Sequence, residues 1–201
     1  MWELIKGEAL FDGAGPLSGT PSLLAGMIIA CFFLFGTAVL AMTLVSLASM
    51  IFTGSPFIAT PKKLTRKIVR LANIRPGDIV YDLGCGDGRF LIEANKAYGA
   101  KAVGIEISPV ICWLARINVV LKQANVRIHC ANIRTFDFFD ADVIFCYLVP
   151  EQMAILANRF NQLKKGCIVI SRQFALPELE KQKQVTIRKR FGSEPIFIYE
   201  I

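Results

Sequence analysis

The sequence predicts an α/β domain, a mostly parallel sheet closed by a C-terminal antiparallel hairpin, preceded by one transmembrane helix. Three observations carry this. Residues 23–52 contain no charge and sit inside an uncharged stretch spanning residues 13–61. Beyond it, short apolar runs alternate with helical patterns of ten or more residues, the rhythm of parallel strands covered on both faces. The C-terminal end breaks that rhythm with two strand-like runs and no helix between them.

A spanning helix needs ~20 apolar residues, so residues 23–53 are long enough to cross a bilayer with some tilt. The polar residues within 23–52, Thr37, Thr43, Ser46 and Ser49, carry hydroxyls that can bond back to the helix's own carbonyls. A cleaved signal peptide is the competing reading. It fits less well, because the preceding region is acidic on balance and the apolar run is about twice the usual 7–15 residues. Gly26 and Ala30 form a small-xxx-small pair of a kind that seats neighbouring helices, and it carries no claim about oligomers.

Past the span, Thr60-Pro61 reads as a helix start, with Thr60 as N-cap and Pro61 in the first turn. Leu64, Ile68 and Leu71 then make an amphipathic helix to about Asn73. A turn over residues 75–78 leads to a strand at 79–83, a glycine turn and a helix to about Tyr98. A second strand at 102–107 is followed by a helix from Pro109 to about Lys122, and a third strand takes 126–130. The fourth strand, 142–147, precedes a helix from Pro150 to about Leu163, and the fifth takes 167–171. Runs at 185–190 and 195–201, with Gly192-Ser193 between them, form the hairpin. The expected organisation is an extracytoplasmic segment (1–22), the span (23–53), a basic linker and helix (54–76) and the α/β domain (77–201).

The charge is unevenly placed. Residues 1–53 hold one base and three acids, so the remainder carries 22 of the 23 bases against 13 of the 16 acids. Lys62, Lys63, Arg66, Lys67, Arg70 and Arg75 follow the span with no acid among them. The positive-inside bias therefore places residues 54–201 in the cytoplasm, at a prokaryotic inner membrane rather than a mitochondrial one. The same bases would lie against anionic headgroups, which makes the lipid bilayer a partner. With 54% apolar residues, the composition excludes a uniformly soluble globular enzyme. The six cysteines are well separated and lack any C-x-x-C, and there is one histidine. This excludes a disulfide-framed module and a metal site, and the cysteines read as small buried hydrophobes in a reducing compartment.

The first strand ends in Asp82-Leu83-Gly84-Cys85-Gly86-Asp87-Gly88-Arg89-Phe90 and opens directly into a helix. Glycines here let a ligand approach the backbone where a Cβ would collide. The dinucleotide fingerprint is G-x-G-x-x-G, whereas the spacing here is G-x-G-x-G with Arg89 where the third glycine would stand. Asp82 and Asp87 flank the loop, and their charge suits a cationic sulfonium with an ammonium better than a pyrophosphate. Glu106 closes the second strand 22 residues after Gly84, where a carboxylate can accept both hydroxyls of a ribose in either cofactor class.

Residues 80–90 with Gly104-Ile105-Glu106-Ile107 resemble the first motif and acidic partner of class I S-adenosyl-L-methionine-dependent methyltransferases, whose Rossmann-like sheet has seven strands. The chain is more closely similar to the membrane-anchored protein-lysine methyltransferases, which include the enzymes acting on the c-ring protein of ATP synthase and on the adenine nucleotide carrier. That likeness rests on Ala59-Thr60-Pro61, the basic helix, RPGDIVYDLGCGDGRFLIEA, AVGIEIS, ADVIFCYLVPE and LKKGCIVIS, and covers about residues 55–175. It implies S-adenosyl-L-methionine as cofactor, with Gly84, Cys85 and Gly86 under its methionine moiety and Asp82 receiving the ammonium. Glu106, with Ile107 beside it, would hold the ribose. Asn132 stands where many relatives place an adenine-binding Asp. Cys146 and Tyr147 would form the lip where the methyl group emerges, and Thr60 would belong to a segment folded over the cofactor, unless it is a helix cap only.

An N-methyltransferase needs a neutral amine, and a lysine of reference pKa ~10.4 is of order 0.1% neutral or less near pH 7. Tyr147 is the candidate aromatic collar for that amine. Glu151, one turn into the following helix, is the candidate to accept the proton or to hold the incoming ammonium, or else a first-turn carboxylate favoured by the helix dipole. The N/D-P-P-Y/F motif of enzymes that methylate nucleic-acid amino groups is absent, since that site reads Cys146-Tyr147-Leu148-Val149-Pro150. No nucleic acid is expected as a partner. About eight residues separate Phe52 from Pro61, which allow at most roughly 30 Å of slack. The expected substrate is therefore a lysine of an integral membrane protein near the cytoplasmic surface. The alternatives are a lipid headgroup or lipophilic small molecule, and a cofactor-binding scaffold without transfer activity.

Overall fold

An uncharged run with no helix-breaking proline folds as one helix, α1 (Leu23–Thr53). The computed structural model describes residues 23–53, 58–176, 183–188 and 193–201. The expected 1–22 segment and residues 54–57 of the linker lie outside them. Two compact units make up the chain, Met1–Thr43 and Leu44–Ile201. In α1 the large apolar side chains between Leu23 and Leu40, and Leu44, are exposed, and among the described residues it is the one helix long and apolar enough to cross a membrane. Thr37 and Thr43 donate to the carbonyls of Leu34 and Leu40 at 3.0 and 2.7 Å, which removes the cost of their hydroxyls in an apolar setting.

The second unit follows the order α2 (Lys62–Leu71), β1 (Ile79–Leu83), α3 (Arg89–Tyr98), β2 (Lys101–Glu106), α4 (Pro109–Leu121), β3 (Val126–Cys130), β4 (Val143–Cys146), α5 (Pro150–Phe160), β5 (Ile168–Arg172), β6 (Lys183–Arg188) and β7 (Ser193–Glu200). The sheet runs β3-β2-β1-β4-β5-β7-β6. The first five strands are mutually parallel and β7 pairs antiparallel with both β5 and β6. The anticipated Gly192-Ser193 turn falls partly outside the described residues.

Side chains of period two sort into two layers. Val80, Val143, Phe145, Ile170 and Ile196 face a layer shared with α2 and α3, which contributes Ile68, Val69, Phe90 and Leu91. Tyr81, Leu83, Ile144, Val169 and Phe197 face a layer closed by Met153, Leu156 and Phe160 of α5. Strands buried on both faces read as continuous apolar runs, which is why they were legible. The chain order reverses between β1 and β4, so a crevice opens at their carboxyl ends, the position where open α/β sheets take ligands.

One local expectation is corrected. The Pro61 carbonyl accepts the first helical bonds, from Leu64 and Thr65 at 2.8 and 2.9 Å, so Pro61 is the N-cap of α2 and no side chain caps it. The Thr60 hydroxyl is occupied elsewhere. The cysteines divide as well: Cys85, Cys112, Cys146 and Cys167 are buried, but Cys31 and Cys130 are exposed.

Gly104 of β2 shows how tightly the sheet is seated. A Cβ there would stand 2.7 Å from both Cys85 Sγ and Leu91 Cδ1 and 2.9 Å from Ile128 Cδ1. Gly104→Ala is expected to destabilise the fold by about 1–3 kcal/mol through overpacking, measured as a lower chemical-denaturation midpoint. An unchanged midpoint would mean that this layer has slack.

Candidate functional site

Five successive strand ends converge on the crevice. The turn after β1 supplies Gly84, Cys85 and Gly86; β2 ends in Glu106; Asn132 follows β3; Tyr147 follows β4; Gln173 follows β5. They line a cavity of about 590 Å³, within the range of small-molecule sites. The turn is possible because Gly84, Gly86 and Gly88 have φ of 78°, 54° and 78°. At Gly84 a side chain would also meet Leu148 Cδ2 at 2.9 Å. The Gly84 and Cys85 amides donate to the Ile105 carbonyl at 2.9 and 3.0 Å, which fixes the loop to the neighbouring strand.

Three carboxylates surround this loop. Glu106 accepts the Gly86 amide on Oε2 at 3.1 Å and the Ser108 amide on Oε1 at 3.0 Å, so its plane is set before any ligand arrives. Asp87 is paired with Arg89. Asp82 is 4% exposed and, among the described residues, has no hydrogen-bond or ion-pair partner for its carboxylate. Burial, then the charges of Glu106 and Asp87, push its pKa well above the usual carboxylate range. Burial likewise pushes the Cys85 thiol up, so it is no thiolate nucleophile.

The opposite wall depends on two arginines. Arg89 donates to the Thr60 carbonyl, and Arg172 donates through Nη1 to the Thr60 hydroxyl at 2.7 Å. The segment carrying Ile58, Ala59 and Thr60 is thereby drawn to the cavity, which all three line. Arg172 is buried, paired with Glu194 of β7, and its guanidinium lies 4.0 Å from the Tyr147 ring centroid. Burial lowers its pKa. The Tyr147 hydroxyl donates to Gln173 Oε1 at 3.0 Å. Arg159 of α5 donates to the carbonyls of Ile133 and Phe136 at 2.6 and 2.7 Å, holding the loop that bears Asn132.

Of the eleven residues singled out in the sequence, nine line the cavity: Thr60, Asp82, Gly84, Cys85, Gly86, Glu106, Ile107, Asn132 and Tyr147. Two do not. Cys146 points into the α5 layer, where its thiol donates to the Ile170 carbonyl at 3.6 Å and burial pushes its pKa up to about 12. Glu151 is exposed in the first turn of α5, while the next residue, Gln152, lines the cavity; one helical step of about 100° separates their directions. The Asn132 amide oxygen accepts from the Arg134 amide at 2.9 Å, so part of its acceptor capacity is in use. One face of the Tyr147 ring is taken by Arg172. Arg172 itself escaped the sequence reading, because its partners Thr60 and Glu194 lie 112 and 22 residues away and no local pattern marks it.

Comparison with known proteins agrees with this geometry. Residues 82–183 match the family described as the ANTKMT methyltransferase domain. A protein-lysine N-methyltransferase of Saccharolobus islandicus is 30% identical over 73% of this chain and 93% of its own length. The adenine nucleotide translocase lysine N-methyltransferase of Mus musculus is 28% identical over 61% of this chain, which spans 54% of that relative's length. Among solved structures, an RNA methyltransferase from Salinibacter ruber in complex with S-adenosyl-L-homocysteine superposes with a TM-score of 0.66 at 30% identity, over 72% of this chain and 94% of that one.

The raised pKa of Asp82 has a consequence for stability. The folded state holds this proton more tightly than the unfolded chain, so the contribution is greatest below the ordinary aspartate pKa and is lost as pH rises through the folded value. Asp82→Asn is expected to raise the denaturation midpoint at neutral pH and to leave it nearly unchanged near pH 4. An equal effect at both pH values would mean that Asp82 ionises normally in the fold.

Proposed function

The chain belongs to the ANTKMT methyltransferase-domain family, S-adenosyl-L-methionine-dependent enzymes with protein-lysine N-methyltransferases among the named relatives, and on that footing we propose that it N-methylates a lysine of an integral membrane protein at the cytoplasmic face. The observation that carries the reading is the buried carboxylate of Asp82, which meets no cation among the described residues, beside Glu106 at the glycine turn. Such a site fits a ligand bearing an ammonium and a sulfonium, and repels the pyrophosphate of a dinucleotide.

In this reading Asp82 takes the ammonium, the Gly84–Gly86 backbone allows close approach, and Glu106 accepts the ribose hydroxyls with a carboxylate already oriented by two amides. Asn132 and Ile107 flank the adenine side. S-adenosyl-L-methionine supplies an electrophilic methyl group, and the transfer is an in-line displacement whose rate depends on alignment and exclusion of water. Alignment falls to Tyr147, immobilised by Arg172 on one ring face and by Gln173 at its hydroxyl. The incoming lysine must lose a proton before attack. Glu151 is too exposed to take it inside the cavity, so in this reading the proton leaves to solvent.

The membrane part of the proposal rests on α1 as a span (23–53), the basic residues 62–75 beyond it and the cytoplasmic orientation they imply. An RNA substrate, as named for the Salinibacter ruber neighbour, finds no support at the end of β4, where an aromatic follows cysteine and no N/D-P-P motif occurs.

Membranes from a strain lacking the protein, solubilised and incubated with the enzyme and tritiated S-adenosyl-L-methionine, test the proposal. Label is expected in the protein fraction, recovered as methyl-lysine after hydrolysis, and the chain lacking residues 1–53 is expected to lose most of that label. Label in lipid or RNA instead would overturn the lysine reading. Equal labelling by the shortened chain would overturn the requirement for membrane anchoring.

A further inference from the structure

Helix α4 has its faces the wrong way round for a soluble domain. Its buried residues are the small Cys112 and Ala115, whereas Trp113, Val120 and Leu121 are 61%, 73% and 72% exposed. Amphipathic surface helices normally turn charge outward. Positions 113, 117, 120 and 121 form one stripe by helical spacing, and Arg116 is the single charge within the helix.

The charge around this stripe is one-sided. From Ile107 to Phe136 there is no acid, and Arg116, Lys122, Arg127 and Arg134 are all exposed. None of these four is in an ion pair among the described residues. The helix also begins beside the cavity, which Ile107, 45% exposed and two residues before α4 starts, and Ile111 both line.

We propose that α4 lies on the membrane surface, with Trp113, Val120 and Leu121 entering the headgroup–acyl boundary of an anionic bilayer and the surrounding bases on its phosphates. Apolar side chains with an aromatic at the interface and a rim of bases suit that partner. A second copy of the chain suits it poorly, because apposing two such faces brings four bases against four. The contact would set the cavity rim at headgroup level, where a lysine of an integral protein emerges. This inference rests on the membrane reading above and adds to it a docking face that the span and the basic helix α2 do not include.

The test uses the full chain with Trp2→Phe, so that Trp113 is its one remaining tryptophan. It is reconstituted in phosphatidylcholine vesicles with or without phosphatidylglycerol, and with or without brominated acyl chains. In anionic vesicles the brominated lipid is expected to extinguish most of the Trp113 emission. Val120→Glu with Leu121→Glu is expected to restore it while the chain still floats with the vesicles. Emission that is solvent-like and unquenched in floating vesicles would overturn the docking face and leave the anchor intact. Emission shielded from iodide but not quenched by lipid, and dependent on protein concentration, would assign the face to a second copy and overturn the proposal. Failure of the chain to float would overturn the anchor itself, and the docking face with it.

Discussion

Asp82 at the buried end of β1, a carboxylate that meets no cation among the described residues, is the constraint around which the crevice is built. It sits where the strand order reverses, between an oriented Glu106 and an Asp87 already claimed by Arg89. Buried carboxylates normally find partners, because the desolvation penalty of the charge is otherwise unreturned. The fold tolerates this one because two apolar layers hold β1 from both sides. In the proposed reading its stability cost and its use coincide: the group left without a partner is the one that a cationic ligand would satisfy.

The remaining walls are fixed by charge reaching across long sequence distances. Arg89, at the start of α3, and Arg172, at the end of β5, both hold Thr60 and so tie the residues preceding α2 to the cavity. Arg172 also rests on Tyr147 and pairs with Glu194, which makes the C-terminal hairpin part of the site's support. Arg159 performs the same service for the loop bearing Asn132. The glycine-turn wall, the Tyr147 wall and the hairpin are therefore coupled through a few guanidinium groups, each satisfied by more than one partner.

The strand at residues 79–83 was legible because a parallel strand buried on both faces spells itself as an apolar run, and it has the bounds expected of it; the edge strand at residues 126–130 also has its expected bounds, although most of it is exposed. The glycine turn was legible because its positive φ values require that residue type. Thr60 misled, since a threonine before proline has the composition of a helix cap, yet here the hydroxyl is drawn away by a residue 112 positions distant. Glu151 and Gln152 show the finer difficulty. Helical phase near a first turn decides which of two adjacent polar side chains enters the cavity, and neither composition nor spacing fixes that phase. Arg172 and Glu194 carried no signal, because their meeting depends on the pairing of β5 with β7. The exposed face of α4 was hidden for the opposite reason: its apolar residues look like core until the fold shows which side is covered.

The central claim is that the crevice binds its ligand by presenting an ionised Asp82 to a cation. Calorimetric affinity for S-adenosyl-L-methionine, followed from acidic pH upward through neutrality into the mildly alkaline range, tests it most directly. The account requires the wild-type chain to bind more tightly as pH rises and Asp82 loses its proton, and Asp82→Asn to bind weakly with little dependence on pH over the same interval. Wild-type affinity that is flat across that range, or an Asp82→Asn variant that binds as tightly, would contradict it.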